Sequence, residues 1–580
     1  MPSNLEKVLK RRYLMKNEQG EVIEKPAQMF RRVAKTVASA EKKYDSSADV
    51  KRIEDDFYSM MINSEFLPNS PTLMNAGTPI GQLSACFVLP VDDSIEGIFG
   101  AVEKMAIIHQ SGGGTGFSFS RLRPRGDIVN STKGVASGPI SFMRIFDTAT
   151  DVVKQGGRRR GANMGILRVD HPDVMEFVGS KNNPEDFRNF NISVAVDDKF
   201  ILALEEDGDY DLINPHTRRV VKHLRADDIF SHIVEMAWKI GDPGIVFLDV
   251  INRDNPTPSI GKIESTNPCG EQPLLPYESC NLGSINLAKR VSDEGIDWDR
   301  LGEVVEKGVD FLDDVIDVNR FPLKEVEEVT KANRKIGLGV MGLADMLIQL
   351  GIPYDSEDAL GVAEKVMKFI YERAKDRSSE LGEIRGNFQN FEGSLPAEQY
   401  ISMRNATVCT IAPTGSISII AGCTSGIEPI FAVAFVRNVM EGARLLEINP
   451  YFGEVAKKRG FYSRDLMMKI AKKGSIQDIG EVPSDVRSLF VTAMEIEAEW
   501  HVRMQATVQR YVDNAVAKTV NLPSDATKED VRKVFLLAHK LGCKGITVYR
   551  YGTKKDQVLY VGGVVDSEYS GGCVAGACPF

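Results

Sequence analysis

The stretch Ser265-Thr266-Asn267-Pro268-Cys269-Gly270-Glu271, with Cys280 nine residues beyond Glu271, decides how the rest of the chain is read. Written as extended backbone, Asn267, Cys269 and Glu271 occupy alternate positions and leave one face together. That face would gather an amide, a thiol and a carboxylate into one small volume. Pro268 and Gly270 between them predict a short constrained loop rather than a helix or an inner strand. The second thiol sits in Tyr277-Glu278-Ser279-Cys280-Asn281-Leu282-Gly283. Taken alone, the pattern fits equally a cysteine in a tight turn with ordinary polar neighbours. Its companions along the chain tip the balance.

At 580 residues the chain is several times an ordinary domain, which predicts a large core or more than one domain. Its 43% hydrophobic and 26% charged content is that of a soluble globular protein. A net charge of −10 argues against a general nucleic-acid-binding surface, though not against a local basic pocket. The N-terminus shows no apolar signal core and no apolar run reaches membrane-spanning length, so a cytoplasmic protein without a membrane segment is expected. Eight cysteines are sparse for this length, and reducing cytosol disfavours structural disulfides. A cysteine pair that acts here is then catalytic, redox-active or metal-binding. Seven histidines, none spaced with a cysteine pair as zinc ligands are, predict no metal site.

Residues 1–60 read as a helical N-terminal region and 61–560 as the main body, followed by a tail, 561–580. Ser84-Ala85-Cys86-Phe87-Val88-Leu89-Pro90 predicts a buried strand carrying a thiol. Asp92-Asp93-Ser94 then caps a helix to about Gln110. Ser111-Gly112-Gly113-Gly114-Thr115-Gly116 lacks the Gly-Lys-Ser/Thr of a P-loop, so it is either a flexible connection or backbone that approaches a ligand closely. Between a helix (138–153) and a strand (164–169), Lys154-Gln155-Gly156-Gly157-Arg158-Arg159-Arg160-Gly161 offers arginines that either face solvent or hold phosphate. Leu301, Val304, Val305, Gly308, Phe311, Leu312 and Val315 follow helical spacing, the mark of a core face. Ala406–Ala412 reads as a buried strand that runs through Pro413-Thr414-Gly415-Ser416 into a helix. That arrangement serves as a plain N-cap or as a phosphate site. Strands alternating with helices over this length indicate an α/β architecture. Cys573 and Cys578 lie on a Gly- and Ser-containing tail, where one pair supplies too few ligands for zinc and reads better as a mobile dithiol.

Together these residues resemble ribonucleotide reductase from Ser70-Pro71-Thr72 to the terminal cysteine pair. The resemblance implies a ten-stranded α/β barrel of two antiparallel five-stranded halves, with a finger loop through its centre. It implies that Cys269 carries the substrate-activating radical, with Asn267 and Glu271 beside it. Cys86 and Cys280 match the pair that reduces the substrate and ends as a disulfide, and Cys573 and Cys578 the tail pair that re-reduces them. Substrate contacts are implied at Ser70, Ala85 and Gly114, and at the phosphate turn Pro413, Thr414, Gly415, Ser416 and Ile417. Asp93, Arg123, Lys154, Gln155 and Arg159 correspond to the site where a deoxynucleotide effector sets substrate choice. Ribonucleoside diphosphate substrates, a thioredoxin-like reductant and a homodimer are implied as well.

The family generates its radical in several ways. A glycyl-radical relative typically carries a Cys-rich metal site near its C-terminus, and one cysteine pair fits that poorly. A relative with a separate radical subunit has two adjacent tyrosines, whereas Tyr549 and Tyr551 here are separated by Arg550. Ser-Ala-Cys at 84–86, Ala-Pro-Thr-Gly-Ser at 412–416 and Gly-Ile-Thr-Val-Tyr-Arg at 545–550 resemble the adenosylcobalamin-dependent class. The alternatives are the large subunit of a two-component reductase and a nucleotide-binding regulatory protein without chemistry. Three converging thiols and a tail dithiol are surplus to the last of these.

Overall fold

The computed structural model describes residues 8–128, 133–155, 159–439 and 443–553. Helices Pro26–Ala38 and Val50–Ile62 open it, each with one apolar face: Met29, Phe30, Val33 and Val37 on the first, Phe57, Met60 and Met61 on the second. Pro26 suits a first helical turn, and the Asp49 carboxylate accepts the Arg52 N–H to cap the second helix. Both faces pack on helix Trp298–Val318, whose expected apolar stripe from Leu301 to Val315 is buried throughout. Phe311 stands edge-on to Phe57 at 5.1 Å and to Phe66 at 5.4 Å. Burying a ring of that size contributes about 1.5–3 kcal/mol.

Charge completes the joint. Asp313, fully buried, is met by Arg334 at 2.8 Å and by Arg385 and Arg404 at 3.2 Å. Arg385 also reaches Glu41 at 2.6 Å, and Arg404 hydrogen-bonds the Tyr44 hydroxyl, so the N-terminal region is tied to the main body. The three guanidinium groups hold the Asp313 carboxyl below its ordinary range against the opposing effect of burial.

The main body is a closed barrel. Strands Cys86–Val88, Gly114–Ser118, Asn163–Arg168, Phe190–Val196 and Gly244–Phe247 lie side by side and parallel. Strands Ser279–Asn286 and Ile336–Met341, the segment 407–411, the run from Val516 through Thr519–Leu522, and Gly545–Arg550 form the second parallel set. The two sets meet antiparallel, with Cys280 opposite Cys86 and Ile546 opposite Ile245. This is the ten-stranded barrel of two antiparallel halves. Each half has its own core between strands and covering helices, such as Ile95–Ser111, Pro139–Val152 and Ala226–Ile240 on the first half. No helix among the described residues is long and apolar enough to cross a membrane.

Two local readings change. The run Ser111–Gly116 is no loop: Gly112, at φ +96°, closes helix Ile95–Ser111, and Gly114 already begins a barrel strand. Segment 407–411, expected as a regular strand, is joined by bridges at Cys409 and Ile411 only. Here Thr410 N–H reaches the Leu338 carbonyl at 3.0 Å and Ile411 N–H the Ala515 carbonyl at 3.2 Å. A side chain adds to these backbone bonds. The Asp513 carboxylate accepts the N–H groups of Val408 (2.8 Å) and Cys409 (3.1 Å) and is itself held by Lys375 at 2.7 Å.

This closure requires a glycine. A Cβ at Gly339 would stand 2.1 Å from the Thr410 carbonyl oxygen, and backbone on both sides leaves no slack. Gly339→Ala is expected to lower stability by about 1–3 kcal/mol or more, read as a fall in the denaturant midpoint. An unchanged midpoint would show that the seam yields.

Candidate functional site

The loop quoted at the outset enters the barrel as a hairpin. Ser265 pairs with Leu274 and Thr266 with Pro273, and residues 267–272 form the tip. The tip is turned rather than extended: Gly270 N–H bonds the Asn267 carbonyl at 3.0 Å, and Gly270 takes φ +83°. Pro268 fixes the second position of that turn. The alternate-position argument for a shared face therefore fails, because Pro and Gly bend the chain where it assumed a strand. What gathers the side chains is the hairpin's insertion among the barrel strands.

Gly116 makes room for it. A Cβ there would lie 1.7 Å from the Thr266 carbonyl oxygen, and one at Gly114 would lie 3.0 Å from Pro268 Cγ. The close neighbour of the glycine run is thus the inserted loop. Asn191 Nδ2 donates to the Pro268 carbonyl at 2.7 Å. The Glu271 carbonyl accepts from Thr410 Oγ1 at 2.8 Å and from Ala515 N–H at 2.9 Å. Those anchors come from both halves of the barrel.

Around the tip stand the expected thiols. Cys86 and Cys280 are direct cross-strand partners, both buried and with no disulfide between them. They share an interior apolar cluster with Val88, Leu274, Leu282 and Ala412. Asn267 Nδ2 lies 3.1 Å from Cys86 Sγ. Burial pushes the Cys280 thiol well above its ordinary value; Lys335 opposes this, while Glu278 and Glu271 add to it. Glu271 is itself 2% exposed, and Cys269 sits at the half-buried tip on a cleft with Met164, Asn191, Gly244 and Gly545.

Ala85 belongs to the same knot, since its N–H bonds the Cys280 carbonyl at 3.1 Å and its carbonyl accepts Gly114 N–H at 2.9 Å. Thr414, at φ +54°, turns the chain into helix Gly415–Ala421, and its hydroxyl accepts the Gly426 N–H at 2.7 Å. Ser416 and Ile417 are buried in the first turn of that helix, which packs beside strand Phe66–Pro68. Two residues beyond that strand begins helix Ser70–Asn75, with Ser70 Oγ 2.8 Å from the Tyr13 hydroxyl.

The expected effector residues are not brought together within one chain. Arg123 donates to Asp93 through Nε at 2.8 Å and through its backbone N–H at 3.1 Å, just before helix Ile95–Ser111 begins. The pairing of Lys154 with Arg160 and of Gln155 with Arg159 lies by the other end of that helix, where Gly161 packs on His109 and Thr150 meets Met105. A helix of this length spans about 25 Å. Side-chain positions of Lys154, Gln155 and Arg159, and all of Cys573 and Cys578, lie outside the described residues. Tyr549 is in strand Gly545–Arg550 and Tyr551 just past its end, so one strand face does not carry both.

Sequence reasoning missed the supports. Asn191, Thr410 and Ala515 carry no motif, and only the fold brings them to the loop. The ion pair of Lys335 with Glu278 (2.7 Å) beneath Cys280 was equally silent, although Glu278 lies two residues from the thiol.

Comparison with known proteins now has a structure to meet. The model of the ribonucleotide reductase barrel domain matches residues 84–402 and 398–549, and that of the ribonucleotide reductase all-alpha domain matches 3–81. A vitamin B12-dependent ribonucleoside-diphosphate reductase of Thermoplasma acidophilum is 52% identical over 96% of this chain and 80% of its own length. One of Mycobacterium tuberculosis is 51% identical over 99% and 83%. Among solved structures, a class Id ribonucleotide reductase alpha subunit of Actinobacillus ureae aligns with a TM-score of 0.78 at 23% identity, covering 95% of this chain and 97% of that one. That last likeness concerns fold alone.

The insertion of the loop should be sensitive to one methyl group. Gly116→Ala is expected to push Thr266 outward and cost about 1–3 kcal/mol or more. Cys269 should then react with a bulky maleimide faster than in the parent chain. Parent-like stability and labelling together would mean that the barrel tolerates a side chain at this contact.

Proposed function

The chain belongs to the ribonucleotide reductase family, and from that premise we propose that it is a ribonucleoside-diphosphate reductase working with adenosylcobalamin. The observation that carries the reading is a loop tip inside a closed barrel that bears Cys269, sets Asn267 against Cys86 (the cross-strand partner of Cys280) and buries Glu271. The identity of more than half to B12-dependent reductases over nearly the whole chain supports the cofactor. A module that only binds nucleotide has no use for three converging thiols.

Each residue type suits one part of the reaction. Removing hydrogen from the 3′ carbon of ribose needs a sulfur radical held against the sugar, and the turn at Pro268–Gly270 holds Cys269 still. Loss of the 2′-hydroxyl as water needs a proton donor and a base for the 3′-hydroxyl. Glu271 is the base in this reading and Asn267 orients the hydroxyls. Cys86 and Cys280 give two electrons and become a disulfide, so one ribonucleotide and one dithiol yield one deoxyribonucleotide, water and a disulfide. Ser70, Ala85 and Gly114 border the sugar, and the turn Pro413–Ile417 receives the phosphates. A closed interior shields the radical from water.

The cleft beside Cys269 is where the cofactor would stand in this reading. Gly270 has open space where a side chain would stand, and Asn191, Ser193 and Thr547 offer polar groups around it. These residues would hold the adenosyl group, and when bound the cofactor supplies homolytic one-electron chemistry next to the thiol. The protein supplies cavity and orientation.

A homodimer completes the effector site in this reading. Ile95, Phe99 and Ile107 are exposed along the helix that separates Asp93 from the 154–160 pairing, and Val152 is exposed at the end of the neighbouring helix Pro139–Val152. An apolar helical face of this kind favours burial against a second copy. Two copies laid antiparallel would bring the Asp93–Arg123 pair of one to Lys154, Gln155 and Arg159 of the other. The tail dithiol Cys573/Cys578 would carry electrons from a thioredoxin-like protein; about fourteen residues from Leu559 to Cys573 span roughly 20 Å if flexible.

The purified chain, given adenosylcobalamin, dithiothreitol and a nucleoside diphosphate, is expected to form deoxynucleotide with no second subunit. Inertness that is relieved only by a metal-containing subunit would overturn the cobalamin part and leave the reductase part standing. Cys269→Ser is nearly isosteric and should keep the circular dichroism spectrum while abolishing turnover, because an O–H bond is too strong for the relay. Parent-like product formation by that variant would remove Cys269 from the chemistry.

A further inference from the structure

The two paired cysteines have opposite surroundings. Cys86 Sγ faces a donor, Asn267 Nδ2 at 3.1 Å. The amide cannot turn round, because Asn267 Oδ1 accepts the Gln272 N–H at 3.0 Å and the Asn267 N–H goes to the Gln272 carbonyl at 3.1 Å. Cys280 Sγ faces acceptors, the carbonyls of Asn281 at 3.3 Å and of Lys335 at 3.6 Å. The one cation beneath Cys280 among the described residues is the Lys335 ammonium, and it is engaged with Glu278 at 2.7 Å. An N–H aimed at sulfur favours the thiolate, whereas carbonyl oxygens favour the S–H.

We propose that this difference gives the disulfide exchange a direction: the incoming reductant attacks Cys280, and Cys86 leaves as the thiolate. The proposal rests on reading Cys86 and Cys280 as the redox pair. One thiolate of a dithiol bonds to Cys280 Sγ while the Cys86–Cys280 bond breaks, its electron pair passing to Cys86 Sγ, where the Asn267 N–H meets the charge. The second thiolate of the dithiol then attacks the first incoming sulfur. Cys280 departs with that electron pair and takes up a proton, which its carbonyl neighbours receive as an S–H donor. Cys86 takes up the second proton from solvent. Two electrons have moved from the dithiol to the pair, the two protons taken up match those the dithiol shed on ionising, and the dithiol ends as a disulfide. Burial, together with Glu278 and Glu271, holds the Cys280 thiol up and works in the same direction. Re-reduction follows product release, so the sugar no longer competes for Asn267 at that stage. Asn267 is thereby a positioning residue for electron entry as well as for substrate.

The test has two arms. In the reduced full-length chain, iodoacetamide labelling across pH with peptide mass mapping should give Cys86 a midpoint about one pH unit or more below that of Cys280. Asn267→Leu should bring the two midpoints together. In the second arm, the Cys573→Ser/Cys578→Ser chain is oxidised by turnover, treated with glutathione, and quenched with N-ethylmaleimide. Maleimide on Cys86 with glutathione on Cys280 should exceed the reverse pattern about tenfold or more. Equal or reversed labelling, or a Cys280 midpoint at or below that of Cys86, overturns the proposal. A pair that never oxidises on turnover overturns the redox reading and the proposal with it. The parent-chain measurements decide the matter even if Asn267→Leu does not fold.

Discussion

One backbone oxygen governs this architecture, that of Thr266, pressed so closely on Gly116 that a methyl group there would lie 1.7 Å away. A barrel strand that carried side chains inward at Gly114 and Gly116 would be filled by them, as small barrels usually are. Removing those side chains gives the space to a hairpin instead. The loop's polar backbone then needs partners in a dry interior, and it finds them in Asn191, Thr410 and Ala515. Because these anchors come from both halves, the loop fixes the halves relative to each other as firmly as they fix it. A thiol at the tip inherits that rigidity.

Such a centre demands that the ring be closed although part of it is not a regular strand. The carboxylate of Asp513 supplements the backbone bonds on either side of segment 407–411 by accepting two further N–H groups, with Lys375 as its counter-ion. The Asp313 cluster does comparable work on the outside, joining residues 41 and 44 to helix Trp298–Val318 and to Arg404. Buried charge contributes little net stability compared with a well-packed apolar group, but it discriminates strongly among arrangements. In a protein whose chemistry depends on placing one loop within the reach of a hydrogen bond, discrimination is the more useful property.

How much of this was legible depends on the distance over which the information acts. The helical stripe from Leu301 to Val315 and the cap at Ser94 are encoded within a turn or two and can be read directly. The ten-stranded barrel and the grouping of Cys86, Cys269 and Cys280 were read through resemblance, since no periodicity in the sequence states which strand neighbours which. Pro268 and Gly270 carried the correct local message, a constrained turn, while the alternate-position argument drawn across them was wrong for the same reason. The glycine run left a flexible connection and a close approach to a ligand both open, and nothing in it pointed to the inserted loop that Gly114 and Gly116 meet. Asn191, Thr410 and Lys335 gave no sign at all: their roles exist only once residues far apart in sequence have been packed together.

Burial also explains why electrons would have to arrive in stages. Cys280 has no exposed surface and Cys86 almost none, so another folded protein cannot dock its own thiol against them. Opening the barrel to admit one would break the contacts that hold Cys269. On the proposed reading, a narrow carrier is the remaining solution, and the segment bearing Cys573 and Cys578 is the candidate. The carrier then meets a disulfide whose two sulfurs differ in the hydrogen-bond partners they face. A donor at one and acceptors at the other mean that the arriving thiolate is steered by the Asn267 side-chain amide on the finger loop and by the backbone carbonyls of Asn281 and Lys335. The constraint that began with a missing side chain at Gly116 therefore reaches as far as the order in which sulfur–sulfur bonds are made and broken.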